Sequence, residues 1–598
     1  MTTRCTGPSI SIHGSYIGQN IAKMGRELTV CVVVLGVLCC LSGVAASGAR
    51  GPGYRSINGG SNCAACTVVI SLVEQLSEIY NETTVQALDR LCSFLPTKFQ
   101  NACKAFANFV GPVLPEFISK EENPDTICHA LPFCHTDPGH QRCQAYPSPS
   151  TGFEFGVRKR REVMKQHGLS VEKADICNLP GIKEICDYID NIFDKHDPGV
   201  DVDTDGFSTV ETLRGTSWRG RDCDDSNGDR HPGARPVMND VAFDSNCNGI
   251  YGSDPTSGKT YEEVLCGGTE QRGVAVLGDS ISAHFHLPEE WMDARKLSFD
   301  VFKHLPFILE NEIDWPQMSS ATGHGNNSWP EVIQGPIDSL YLRLAARNRC
   351  NHRDYQNIAV NGARSAGMID IEKSLSRNPV KDQPLLTLYA LVGNDVCNGH
   401  EDTFADMTTP AEMRNHTMTT LAYLDKVLPM HSHVLLIGLA DARILYNSLH
   451  DRIHPLGRYR NDFTYSMLYD FLNCLDVSPC RGWLQTNETI RNMTAVRAAE
   501  LSNVLKDIAT TEKSAFSSFN VTYMDCPFEQ EFANWVKQGG EAWQLIEPID
   551  GFHVNQMGQA LYAAAIWKHV EENIPFAIGS LNPNNDKIHD IFGNQGGY

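Results

Sequence analysis

The chain has 598 residues, 41% of them hydrophobic, and a formal net charge of −22. That length is too great for one core and predicts several domains. The acidic balance argues against nucleic acid as a partner, because phosphate binding wants a basic surface; it leaves lipids open, since many of the acids fall in one segment where cations would neutralise them.

In chain order, Lys23 and Arg26 precede an apolar run at 28–41, and Val44-Ala45-Ala46 follow as a signal-peptidase site. Residues 1–46 therefore predict an export signal, and 47–60 a candidate propeptide. A membrane anchor at the short edge of spanning length is the alternative, and Met24 is an alternative start. Six Asn-x-Ser/Thr sequons, at Asn81, Asn326, Asn415, Asn487, Asn492 and Asn520, agree with export to secreted or lysosomal compartments. Of 21 cysteines, 17 lie beyond the signal, which predicts disulfides with an odd thiol left over.

Residues 61–143 predict a small helical module. Val69, Leu72, Val73, Leu76 and Ile79 share one helical face. Val85, Leu88, Leu91 and Leu95 repeat the pattern, as do Phe99, Ala102, Phe106 and Phe109. Six cysteines frame these stretches, and a module this small needs such staples; their count alone leaves the pairing open. Cys-x2-Cys, two cysteines with ten residues between them and then Cys-x5-Cys together resemble the saposin B-type domain. That resemblance implies the pairs Cys63–Cys134, Cys66–Cys128 and Cys92–Cys103, and a module that opens onto acyl lipids. A stapled bundle with a dry core is the alternative.

Residues 144–161 read as an exposed Pro/Ser-rich linker ending in the basic run RKRR. Cleavage after Arg161 is expected, giving two fragments. Cys143, left over from the six, would hold them together by pairing with a cysteine of the large fragment.

Residues 162–268 form an Asp-rich segment. Asp201, Asp203 and Asp205 alternate and precede Gly206, an arrangement that wraps oxygens around Ca²⁺. It is not an EF-hand, because Thr212 falls where the closing glutamate belongs. A second cluster offers Asp222, Asp224, Asp225, Asn227 and Asp229, and a third Asp244, Asn246 and Asn248; Asp197 and the carbonyl of Phe207 complete the candidate ligands. Three clusters with so little apolar sequence between them predict Ca²⁺ in a structural role, with Mg²⁺ less suited.

From 269 to 575 buried strands alternate with helices. GVAVLGD, YQNIAVNG, LLTLYALVGND and HVLLIGLAD each run apolar and stop at Gly, Asn or Asp. This predicts an α/β/α layering around a parallel sheet, with ligands at the carboxyl edge; residues 576–598 form a tail. Ser280, in Gly278-Asp279-Ser280, reads as a helix cap or as a nucleophile. Asp550 and His553, three apart before a helix, supply an orienter and a base for it. The backbone N–H of Gly362 and the side-chain amide of Asn394 are on offer as oxyanion donors. These blocks, in this order, resemble the GDSL (SGNH) ester hydrolases, which implies Ser280 as nucleophile, His553 as base, Asp550 as orienter, and the N–H groups of Ser280 and Gly362 with Asn394 as the oxyanion hole. His284 and His286 are expected at the pocket mouth or on the surface.

A saposin-type module, a basic site, an Asp-rich segment and a Gly-Asp-Ser hydrolase resemble, in that order, a family of exported lipases. The resemblance implies removal of secondary acyl chains from the lipid A of bacterial lipopolysaccharide. The alternatives are a phospholipase or other esterase of the same fold, and a lipid-binding or transfer protein.

Overall fold

A computed structural model describes residues 57–147 apart from 112–113, 116–122 and 132, residue 162, and residues 196–598 apart from 238–239, 327–328 and 402. The export signal, the basic run ending at Arg161, Cys177 and Cys186 lie outside the described residues.

Helices α1 (Gly60–Tyr80), α2 (Thr84–Phe94), α3 (Thr97–Val110) and α4 (Pro124–Ala130) build the first module. Thr83 and Gln86 cap α2 reciprocally, which satisfies backbone donors that would otherwise be orphaned. Disulfides join Cys63 to Cys134, Cys66 to Cys128 and Cys92 to Cys103. The predicted faces of α1 and α2 turn inward, except that Val85 is exposed. The side chains of Ala102, Phe106 and Phe109 lie outside those described.

Periodicity predicted one buried face on α1, yet its residues are buried all round from Cys63 to Leu76. The second burial comes from the hydrolase. Gln75 Nε2 donates to Leu456 O at 2.9 Å, Arg460 binds Glu74 at 3.0 Å and also Glu78, and Tyr146 packs on Phe463 at 5.1 Å. Cys143 is joined to Cys474 across 331 residues, so the two modules are covalently tied.

The hydrolase core is a five-stranded sheet, β1 (Gly273–Gly278), β2 (Tyr355–Asn357), β3 (Leu385–Ala390), β4 (Ser432–Ile437) and β5 (Phe519–Met524), in the order β2-β1-β3-β4-β5. All pairings are parallel. Strands β1, β3 and β4 are buried along their length, because helices cover both faces and force continuous apolar runs. The edge strand β5 has mixed burial, so it carries no continuous apolar run to mark it in the sequence.

Further disulfides join Cys223 to Cys247, Cys266 to Cys350 and Cys397 to Cys480; among the described residues the free thiol is Cys526. Five sequon asparagines are exposed, whereas Asn492 is half-buried and accepts from Arg443 at 2.8 Å. The Asp-rich segment is better anchored than its composition suggests. Trp218 is fully buried against Ala283 and Ala359, and Arg214 is clamped on Glu312 at 2.6 Å while donating to Ala359 O at 2.9 Å. Both contacts reach elements that carry the site below.

Candidate active site

Strand β1 ends at Gly278, where any Cβ would lie 2.4 Å from Ser282 Oγ. The chain then enters a short helix, α5 (Ser280–Ala283), capped by Asp279. The Asp279 carboxylate accepts from Ile281 N at 3.1 Å, and also from Val392 N at 2.9 Å and Gly393 N at 3.3 Å. One side chain thus ties the serine turn to the loop that carries Asn394. Burial pushes Asp279 up to about 6, with those N–H groups and His553 pulling the other way.

Ser280 Oγ lies 2.7 Å from His553 Nε2, and His553 Nδ1 lies 2.5 Å from Asp550 Oδ2. Asp550 Oδ1 accepts from Phe552 N at 2.8 Å and His553 N at 3.1 Å. Burial raises this carboxyl, but His553 and the two N–H groups outweigh it and hold Asp550 below its ordinary value. It is therefore the ionised, accepting partner that orients the ring. Gly362 has φ +76°, a conformation that favours glycine, and with Asn394 it lines the same cavity as Ser280. The neighbouring Asn361 is fixed by Asp314 at 2.9 Å.

The loop bearing Asp550 and His553 is held by its carbonyls. His454 Nε2 donates to Ile549 O at 2.8 Å and Tyr469 to Gly551 O at 3.0 Å, and Tyr465 donates to Pro548 O. His454 Nδ1 accepts from Leu456 N–H, so its second nitrogen carries the proton, and burial pushes the ring down to about 4. None of these holders was legible in the sequence, where no local pattern marks them.

His284 and His286 are a correction. Both are buried and neither lines the cavity at Ser280. His284 is at φ +65° with Nδ1 at 3.2 Å from Trp315 O; His286 pairs with Glu547 at 2.8 Å, behind the catalytic loop. They close the core around the turn after Ser280.

The cavity itself has a volume of about 60 Å³ and opens to solvent. Phe285, Met292, Phe463, Leu468, Phe471 and Leu472 make one side apolar, and Ala64, Thr67, Val68 and Ala145 of the first module complete the wall. Such a lining suits an acyl chain leading to the serine.

In the Asp-rich segment, carboxylate oxygens of Asp201, Asp203 and Asp225 converge within 4.8 Å of one another, as do those of Asp203, Asp205 and Asp222. One oxygen each of Asp203, Asp205 and Asp222 is buried without a hydrogen-bond partner. Burial pushes Asp205 and Asp222 up to about 7, with neighbouring acids adding to it. Around Asp244, Asn246 and Asn248 a further acid, Glu262, accepts from both asparagines, and Asp240 lies close by; the sequence reading named neither. Asp224 pairs with Arg230 at 2.6 Å and Asp229 with Lys381 at 2.7 Å. Asp197 is exposed and Phe207 is buried, stacked on His231 at 5.4 Å.

A parallel sheet with Gly-Asp-Ser at its carboxyl edge and an apolar cavity shared with a saposin-like module defines a lipid-directed ester hydrolase. A family model for GDSL-like Lipase/Acylhydrolase matches residues 274–566, and one for the Saposin-like domain matches 62–187. The chain is 44% identical to human acyloxyacyl hydrolase over 91% of its own length and 94% of that protein's. It is 43% identical to the rabbit (Oryctolagus cuniculus) acyloxyacyl hydrolase over 90% and 93% respectively. An extracellular lipase from Streptomyces rimosus, known from a crystal structure, is similar over 50% of this chain and 98% of that one at 15% identity and a TM-score of 0.23. The chain belongs to the acyloxyacyl hydrolase family.

Proposed function

We propose that this ester hydrolase removes secondary, acyloxyacyl-linked fatty acids from the lipid A of bacterial lipopolysaccharide. The observation that carries the reading is the Ser280–His553–Asp550 line, at 2.7 and 2.5 Å, opening into a cavity walled by both modules.

His553 Nε2 takes the Ser280 proton as Oγ bonds to the ester carbonyl carbon. The developing oxyanion is met by the N–H groups of Ser280 and Gly362 and the amide of Asn394. Collapse breaks the bond to the carrier chain's 3-oxygen, which takes the proton from His553. Water, deprotonated by the same ring, then attacks the acyl-serine; the bond to Oγ breaks, Oγ takes the proton back from His553, and the fatty acid leaves. Asp550 keeps the ring in the tautomer that these transfers need. The apolar cavity receives the departing acyl chain.

The family and the export signal support a secreted or lysosomal location. The converging carboxylates of the Asp-rich segment, with one unpartnered oxygen on each of Asp203, Asp205 and Asp222, fit Ca²⁺ held by Asp201, Asp203, Asp205, Asp222 and Asp225, which would offset their mutual repulsion and rigidify the segment. Cleavage after Arg161 would leave two fragments tied through Cys143 and Cys474. The mature protein should run as one species without reductant and as two with it.

The test of the activity is fatty-acid release from purified lipopolysaccharide by the wild type and Ser280→Ala, with diacyl phospholipid as comparator. The wild type should release fatty acid from lipopolysaccharide and the variant essentially none. Release from phospholipid alone would replace this reading with a phospholipase.

A further inference from the structure

Helix α1 presents a stripe of small and polar residues to the hydrolase. Its other polar side chains each reach at least one partner, although Glu74 and Gln75 keep one oxygen apiece buried without a hydrogen bond. Ser71 Oγ lies 2.6 Å from Tyr146 Oη, and Gln75 Nε2 donates to Ser71 Oγ and Leu456 O at 3.1 and 2.9 Å. Thr67 differs. It is 1% exposed, its Oγ1 is buried with no hydrogen-bond partner, and it lines the cavity that holds Ser280 and His553. Its neighbours on that wall, Ala64, Val68 and Ala145, offer it nothing polar through their side chains. A threonine inside a helix ordinarily turns its hydroxyl back onto a carbonyl of the preceding turn, and this one does not. Valine would fill the same volume without leaving a hydroxyl unpaired, so the position carries a cost that the fold itself does not recover.

We propose that Thr67 is a specificity-determining residue, contributed by the saposin-like module, whose hydroxyl donates to a second carbonyl of the substrate while Ser280 attacks the first. The inference rests on the acyloxyacyl reading above. In a 3-acyloxyacyl group the scissile ester oxygen sits on C3 of the carrier chain, and the carrier's own carbonyl is C1. Both carbonyls therefore enter one cavity together. Inside an apolar wall that second oxygen would lose its water, and Thr67 restores a hydrogen bond to it. A plain fatty ester has no such oxygen, and in a diacyl phospholipid the second carbonyl is one atom farther along.

The experiment compares three probes with the full chain. They are a synthetic 3-acyloxyacyl amide, a plain ester of the same fatty acid and a diacyl phospholipid. Thr67→Val should lower kcat/KM for the acyloxyacyl amide about tenfold, the scale of one hydrogen bond left unmade. It should leave the plain ester and the phospholipid within about twofold of wild type on the same scale. Thr67→Ser should restore the acyloxyacyl rate. Thr67→Ala gives the same reading if the valine variant does not fold. Equal loss on all three probes would make Thr67 a packing residue, and no loss on any would leave its hydroxyl without a role; either result overturns the proposal. Wild-type release from lipopolysaccharide, measured alongside, judges the acyloxyacyl reading separately, since Thr67 is judged only by the ratio between probes.

Discussion

Asp550→Asn isolates what the carboxylate does for His553, because the surrounding N–H groups dictate how an asparagine must sit. In the wild type Oδ1 accepts from Phe552 N and His553 N at 2.8 and 3.1 Å, and Oδ2 faces His553 Nδ1 at 2.5 Å. An asparagine has to keep its carbonyl oxygen at the Oδ1 position. The reverse would aim its NH₂ at two donors and leave both unpaired, each at a cost of roughly 1–3 kcal/mol. Its NH₂ therefore points at Nδ1, which must accept, and the proton moves to Nε2. That nitrogen stands 2.7 Å from Ser280 Oγ and can no longer take the serine's proton. Turnover of a soluble short-chain ester should fall by about 10⁴, the loss known for this tautomer error elsewhere, equivalent to ~5 kcal/mol of transition-state stabilisation. The fold should hardly notice, since the two backbone bonds at Oδ1 survive. Asp550→Ala, which removes those acceptors as well, should melt at a lower temperature than Asp550→Asn. The assay is ester hydrolysis beside a thermal melt. An Asp550→Asn protein that melts like wild type yet keeps more than about a tenth of its turnover, against the loss anticipated above, would refute the assignment of His553 as base.

Asn394→Ala should cost about 10²–10³ in kcat on soluble and lipid esters alike, with the melting temperature unchanged; a change confined to KM would remove Asn394 from the oxyanion hole. Between the modules, burial pushes Glu74 up to about 7 against the pull of Arg460. Its folded value exceeds the ordinary 4.5, so this contribution to stability is complete below 4.5 and is lost as pH rises through about 7. Glu74→Gln should flatten that part of the melting-temperature profile and raise the melt at pH above the folded value; an unchanged profile would mean that the Arg460 pairing, not burial, sets the interface. A chelator should lower the melting temperature and added Ca²⁺ restore it, while protein that remains folded still hydrolyses a small soluble ester; a melt indifferent to chelator would make the Asp-rich segment a metal-free scaffold.

The chemistry-bearing residues were legible in the sequence because their signals are local. Ser280 follows an apolar run that can only be a buried strand, and Asp550 and His553 sit three apart at a helix start. The cysteine spacing marked the helical module, and alternating aspartates marked the acidic loops. Each of these is fixed by neighbours a few residues away. What the sequence left open depends on contacts across hundreds of residues. Helix α1 looked amphipathic because periodicity detects a first buried face, and only docking against 456–463 revealed the second. His284 and His286 looked like surface or pocket residues because histidine is polar, yet the turn after Ser280 folds them inward against Trp315 and Glu547. The grip of His454, Tyr465 and Tyr469 on the 548–551 carbonyls, and of Arg214 on Ala359, has no local signature, since any donor brought near would serve. The sequence by itself determined which atoms can react. The tertiary structure decided what surrounds them, because burial and hydrogen bonding are properties of the space that the whole chain encloses.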